Sequence, residues 1–276
     1  MALKLMYITN REDVARVAEE AGVDRIFVDM EYIGKADRQG GMDTVQSRHT
    51  IKDVERLRKV VRNSELLVRI NPIHEASDEF SSSEEEIDAV VAAGADIIML
   101  PFFKSAAEVS RLVRAVGGRA KTMALLETPE AVACVEEILK VEGLDEIFIG
   151  LNDLSLGYGK KFMFEVLADG TVDRLCEKFR QSGIPYGFGG IAAPGKGALP
   201  AERIIREHYR LGSGCVILSR SFCNTALVPD IDEIRRIFIN GVAAIRAEEA
   251  ECQRHLAFFA ENKLKVAEAV CSIVGN

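Results

Sequence analysis

Apolar residues in this chain follow two rhythms. Short, nearly continuous apolar runs at 4–9, 25–29, 66–71, 96–101, 122–127, 146–150, 186–190 and 215–219 read as strands buried on both faces, the habit of parallel sheets. Between them lie amphipathic stretches at 12–21, 52–62, 84–93, 106–116, 129–140, 172–182 and 201–210, which read as helices. Strands alternating with helices in this way predict an α/β fold, a closed (β/α)8 TIM barrel over residues 1–228. The helical spacing continues through Ile231, Ile234, Ile237, Phe238, Val242 and Ile245. It resumes at Phe258, Phe259, Leu264, Val266, Ala269 and Val270, so two extra C-terminal helices are expected in a 229–276 extension. That extension should pack on the barrel or on a neighbouring subunit.

An internal repeat supports the barrel. AGVDRIFVD (21–29), AGADIIMLP (93–101), EGLDEIFIG (142–150) and LGSGCVILS (211–219) each combine a helix-ending glycine, a turn and an apolar strand. Glycine in that place is the usual left-handed stop of a helix. The copies fall on strands two, four, six and eight, as if the barrel were assembled from two-strand units. One segment breaks the pattern: 32–48 is long, polar and rich in glycine, and loops above roughly 12–15 residues are commonly functional or disordered.

Composition narrows the partners. The chain has 276 residues, 48% of them apolar, and a net charge of −8 with no dense run of Lys or Arg, which argues against a nucleic-acid backbone as partner. No apolar stretch reaches the ~20 residues of a membrane-spanning helix, so no membrane partner is expected. The opening MALKLMYITN is too short in apolar run for a signal peptide. The six cysteines show no CxxC spacing, so neither a disulfide frame nor a zinc site is indicated. A reduced, cytoplasmic protein is the expectation.

In such barrels chemistry sits where strands end. Strand two ends in Asp29 and Glu31, strand three in Arg69 and Asn71, strand four in Pro101 and strand five in Glu127. Strand six ends in Gly150 with Leu151, Asn152 and Asp153 following, and strand eight ends in Ser219 and Arg220. Glu127 and Asp153 end adjacent strands, and two hard oxygen donors suit Mg²⁺ or Mn²⁺; both could instead cap the helices that follow. Arg69 suits bidentate capture of a substrate carboxylate, or a buried pairing with Asp29 or Glu31. His49, beside a helix start, suits a general base or a helix cap. His74 lies in a loop, whereas His208 and His255 lie in helical stretches as surface or packing residues. Lys121 stands at the wrong end of its strand for Schiff-base chemistry, and Lys104 opens a helix. GGIAAPGKG (189–197) has Gly197 where a phosphate loop needs Ser or Thr, and reads instead as a flexible loop over the barrel mouth.

Several segments together resemble the metal-dependent 4-hydroxy-2-oxoheptanedioate aldolase and citrate lyase β-subunit family: VDME (28–31), LVRINP (67–72), GADIIMLPF (94–102), ALLETPEAV (124–132) and GLDEIFIGLNDLSLGYG (143–159). The resemblance implies a carbon–carbon lyase that cleaves a 4-hydroxy-2-oxo acid reversibly to pyruvate, or a related 2-oxo acid, and an aldehyde. It implies a divalent cofactor (Mg²⁺, Mn²⁺ or Co²⁺) on Glu127 and Asp153, with Arg69 facing the pyruvate oxygens. Glu31, Pro101, Gly150, Leu151 and Asn152 then line the substrate. Where the family carries Asp-x-Glu-His, Tyr32 follows Glu31 here; His49, four residues before Asp53, resembles the displaced histidine and would act as base with Asp29 orienting it. Leu151-Asn152 replaces the Pro-Ala common in the aldolases. An acyl-CoA lyase of the malyl-CoA or citryl-CoA type, and a catalytically lapsed 2-oxo-acid-binding barrel, are the alternatives. Family members commonly assemble through their last helices, so a homo-oligomer is expected.

Overall fold

The computed structural model describes residues 2–34, 47–254 and 258–275. Most of the expected insert and His255 lie outside the described residues. Eight strands run parallel in chain order: β1 (Lys4–Ile8), β2 (Arg25–Asp29), β3 (Glu65–Arg69), β4 (Ile97–Leu100), β5 (Lys121–Leu126), β6 (Glu146–Ile149), β7 (Tyr186–Ile191) and β8 (Cys215–Leu218). β8 pairs back onto β1, so the barrel closes as expected.

The repeat glycines Gly22, Gly94, Gly143 and Gly212 all have positive φ, between 73° and 96°, and turn the chain from helix to strand. The aspartate two residues later has its own job. Asp24, Asp96 and Asp145 accept the backbone N–H of Leu5, Leu66 and Thr122 at 2.7–2.8 Å. The segments leading into β2, β4 and β6 thus close the N-terminal edge of the strand before each; before β8 the corresponding residue is Gly214, which has no side chain to do so.

Around the barrel lie α1 (Glu12–Glu20), α2 (Ile51–Val60), α3 (Ser83–Ala92), α4 (Ala106–Val116), α5 (Pro129–Ala133), α6 (Val135–Ile138), α7 (Leu151–Gly157), α8 (Glu165–Ala168), α9 (Thr171–Ser182) and α10 (Ala201–Leu211). The expected 129–140 helix is broken at Cys134 into α5 and α6, and α7 and α8 add to the expected set. The two expected C-terminal helices are α11 (Ile231–Arg254) and α12 (Phe259–Gly275). α11 lies along α1 and α10, and α12 along α10 and α8. Asn262 donates to the buried Glu207 at 2.8 Å and Lys263 pairs with Asp173 at 2.7 Å, which fastens α12 to the chain's own barrel. None of the described helices is long and apolar enough to cross a membrane. In the glycine loop after β7, Ala193, Pro194 and Lys196 line a cavity of about 510 Å³ together with Ile237 and Gly241 of α11.

Strand alternation sorts the barrel interior into layers. Arg25 and Glu146 pair at the N-terminal end. Met6, Phe27, Leu67, Met99, Met123 and Phe148 fill the middle as one apolar cluster. Two residues further along β2 and β3, and just past the end of β5, come Asp29, Arg69 and Glu127. The apolar layer is the floor of the site and holds these charged groups at the open end.

Candidate active site at the C-terminal mouth

Asp29 and Arg69 are register partners on β2 and β3. Arg69 donates from Nε and Nη2 to the two Asp29 oxygens, each at 2.8 Å, and its Nη1 lies 3.3 Å from Glu31 Oε2. Burial opposes the guanidinium charge, but Asp29, Glu31 and Glu127 outweigh it and hold Arg69 firmly protonated. Of the two readings the sequence leaves open for Arg69, capture of a substrate carboxylate or a buried pairing, its fork here makes the pairing with Asp29. Of the five N–H donors of a guanidinium, those two are committed to Asp29.

His49 stands where the sequence places it, beside the mouth, but its setting differs from the expected one. Its Nδ1 accepts the backbone N–H of Asp29 at 3.0 Å, while the Asp29 carboxylate faces Arg69. A neutral imidazole that accepts at Nδ1 carries its proton on Nε2. A ring so held can offer an N–H from Nε2 to a group in the mouth. Nor does His49 cap α2. Thr50 does so, and Asp53 accepts from the Thr50 amide at 2.7 Å, so the Asp53 carboxylate serves the helix start.

Glu127 follows β5 directly and is 4% exposed. Thr128, not Glu127, caps the next helix, accepting from the Ala131 amide at 3.1 Å. Glu127 instead turns into the mouth, where its Oε1 accepts the N–H of Phe102 at 3.0 Å. Phe102 has φ 48°, and no other non-glycine among the described residues has positive φ. Such backbone is costly outside glycine and tends to gather at functional sites; here it aims an amide at a carboxylate. Gly150, after β6, leaves room on the other side: a side-chain carbon there would stand 2.6 Å from Glu127 Oε2. Asp153 lies in the first turn of α7, is 8% exposed, and accepts from Asn152 Nδ2 at 3.3 Å. Burial, then the charges of Asp153 and Glu31, push the Glu127 carboxyl well above the usual range, with Arg69 and the Phe102 amide pulling the other way. Among the described residues no three His, Cys, Asp or Glu side chains surround one point. The donor set is thus a buried carboxylate pair strained by like charge. That chemistry fits a hard dication completing its shell with water and substrate oxygens.

Two cavities open on this end. One of about 280 Å³ is lined by Asn10, Asp29, His49, Arg69, Ser219 and Arg220. The other, about 520 Å³, is lined by Phe102, Lys104, Glu127, Pro129, Asp153 and Leu156. Glu31 is 1% exposed and faces Arg69, while Pro101 directly precedes Phe102 and Leu151 is buried at the start of α7. Asn10, Phe102 and Asn224 at this end were not singled out from the sequence; Asn10 had a signal, since it follows β1 as Asp29 ends β2. The remaining histidines and lysine are placed elsewhere. His74 bonds the Pro72 and Ser81 carbonyls at 2.7 and 2.8 Å and braces its own loop. His208 is fully buried in packing against Phe188. Lys121 pairs with Glu65 at the N-terminal end of the barrel. A larger cavity of about 740 Å³ at that end contains Arg58, Asp96 and Lys121, whose charges are already paired.

Residues 4–168 match the family described as HpcH/HpaI aldolase/citrate lyase. Among curated proteins none matches the chain. Solved structures share the fold at low identity. An HpcH/HpaI aldolase from Desulfitobacterium hafniense superposes with a TM-score of 0.61 at 18% identity, covering 85% of this chain and 93% of that one. An HpcH/HpaI aldolase/citrate lyase family protein from Burkholderia cenocepacia gives 0.63 at 16%, covering 85% and 95%. RipC from Yersinia pestis gives 0.56 at 18%, covering 86% and 94%. At such identities these neighbours speak for the fold.

Proposed function

The chain belongs to the HpcH/HpaI aldolase/citrate lyase family, and we propose that it is a divalent-metal-dependent lyase cleaving a 4-hydroxy-2-oxo acid reversibly to pyruvate, or a related 2-oxo acid, and an aldehyde. The observation that carries this reading is the buried crowding of Glu127 with Asp153 beside the charge of Arg69. Glu127 and Asp153 would hold the dication (Mg²⁺, Mn²⁺ or Co²⁺). When bound, such an ion supplies Lewis-acid polarisation of the 2-oxo and carboxylate oxygens.

The chain's own groups supply the rest. As the carbon–carbon bond breaks, charge moves to the 2-oxo oxygen as an enolate. Arg69, held protonated and aimed by Asp29, offers its uncommitted N–H donors to that oxygen. His49 meets the substrate hydroxyl. With Nδ1 occupied by the Asp29 amide, the ring donates from Nε2 to that oxygen as the hydroxyl passes its proton to a water in the mouth; the alkoxide then cleaves to the aldehyde, and the enolate takes a proton from water at its terminal carbon to give pyruvate. Glu31, Pro101, Gly150, Leu151 and Asn152 shape the space around these groups.

The test is exchange of pyruvate methyl protons into deuterium oxide, the partial reaction that forms the enolate without an aldehyde. Exchange is expected with Mg²⁺ or Mn²⁺, and it should vanish in EDTA and in Glu127→Gln. Exchange that continues unchanged in EDTA defeats the proposal.

A further inference from the structure

Asn71 lies two residues past β3 and is 2% exposed, yet it touches no group assigned to catalysis. Its side chain is nevertheless engaged at both polar atoms. Oδ1 accepts the backbone N–H groups of Tyr32 and Ile33, both at 3.0 Å. Nδ2 donates to Glu86 Oε1 at 2.8 Å, and the Asn71 backbone N–H donates to both Glu86 oxygens at 3.3 Å. Glu86, on α3, is buried beneath this contact; burial raises its carboxyl while the two Asn71 donors oppose the rise. The amide cannot be turned over, because its NH₂ would then confront two N–H donors. Tyr32 also rests its ring on Phe80, with centroids 5.6 Å apart, so the chain leaving β2 is fastened to the β3–α3 segment twice.

The fastened stretch begins directly after Glu31. Asp29 is fixed by Arg69 from one side, and Tyr32 and Ile33 by Asn71 from the other. Glu31, between the two anchors, is thereby turned towards Arg69 and close enough to Glu127 to affect its charge. We propose that Asn71, clamped by Glu86, is a positioning residue of the active site: it fixes the exit of β2 so that Glu31 faces Arg69. The inference rests on the lyase reading above, since Arg69 is the group whose surroundings it sets. Misplacement of such groups by about 1 Å can cost about a hundredfold in rate.

Three variants test it, with pyruvate exchange, Mn²⁺ affinity by titration calorimetry and thermal melting as readouts. Asn71→Asp keeps acceptors for Tyr32 and Ile33 but turns an oxygen on Glu86. It should fold, bind Mn²⁺ within about twofold of wild type, and lose about tenfold to a hundredfold in kcat of exchange with little change in KM. Glu86→Gln retains an acceptor for Asn71 and should stay near wild type. The double variant Asn71→Asp/Glu86→Gln places an amide donor opposite the new carboxylate and should recover kcat to within about threefold, because the hydrogen bond is rebuilt in reverse. The proposal is overturned by a wild-type kcat in Asn71→Asp, by an unfolded Asn71→Asp protein, or by a double variant that regains stability without kcat. A wild-type protein that binds Mn²⁺ but exchanges no protons overturns the lyase reading instead, and the positioning role with it.

Discussion

His49 shows how much one backbone contact decides. The 3.0 Å approach of the Asp29 amide to Nδ1 favours the ring proton on Nε2, and on the function proposed above the residue then acts as a donor. A donor role and a base role diverge on substitution. His49→Gln keeps an N–H donor near the position of Nε2 and should retain most of the aldol-cleavage rate. His49→Ala should lose about a hundredfold to a thousandfold, in line with the removal of one oxyanion-type donor. Steady-state cleavage rates of the two variants check this, and equal losses would dismiss the donor role. The positions of Asp29, Arg69 and Glu127 were legible because strand alternation sends every second side chain inward and the last inward position meets the mouth; Asp153, in the first turn of α7, was legible only as a residue that opens the segment after a strand. What each position does with its hydrogen bonds was less legible. That the Arg69 fork closes on Asp29 depends on the β2–β3 register, and the left-handed Phe102 follows a proline whose own restriction falls on the residue before it.

At the scale of elements, α10 is pinned to β7 by a buried histidine. His208 stacks on Phe188 with centroids 3.8 Å apart and rings 4° from parallel, and its Nδ1 lies 2.7 Å from Ser213 Oγ. Burial pushes its pKa down to about 3. The unfolded chain, with histidine near about 6.5, takes up the proton first. The stabilisation from a neutral His208 is therefore present above that range and lost as pH falls from about 6.5 towards 3, by up to about 1.4 kcal/mol per pH unit. His208→Phe keeps the ring stack without a titrating group. Melting temperatures measured from pH 7 to pH 4 should fall less steeply in this variant than in wild type, and parallel curves would exclude the linkage. The alternation of long helices and strands could be read in advance because each helix carries an apolar stripe of four or more residues. α7 could not: Leu151–Gly157 spans two turns, starts directly from Gly150 and buries Asp153 and Ser155 along with Leu151 and Leu154. The break at Cys134 escaped for a related reason, since the apolar spacing of 129–140 runs through it unaltered.

For the whole molecule, the two ends of the barrel carry different burdens. At the N-terminal end Arg25, fully buried, pairs with Glu146 at 2.5 Å and with Glu65 at 2.9 Å, while Lys121 reaches Glu65 from outside. The apolar layer of Phe27, Leu67, Met123 and Phe148 separates this network from Asp29, Arg69 and Glu127. Charges at the two ends therefore act through a packed floor rather than through shared hydrogen bonds. Arg25→Met removes the cation and strands Glu146, which is 7% exposed, without a partner from Arg25. Breaking a buried pair in this way costs about 3–5 kcal/mol, or a Tm lower by about 6–10 °C at about 2 °C per kcal/mol for a chain of this size. The rate of pyruvate exchange by the folded protein at about 20 °C, well below the usual melting range, should nevertheless stay within about twofold of wild type. Adding Glu146→Gln should recover part of the Tm, because the buried charge left behind is then removed as well. Calorimetric melting and exchange rates measured on the same preparations decide the matter. A drop in exchange without a drop in Tm would mean that the apolar floor transmits the field of Arg25 to the mouth, and that the layers are not energetically separate.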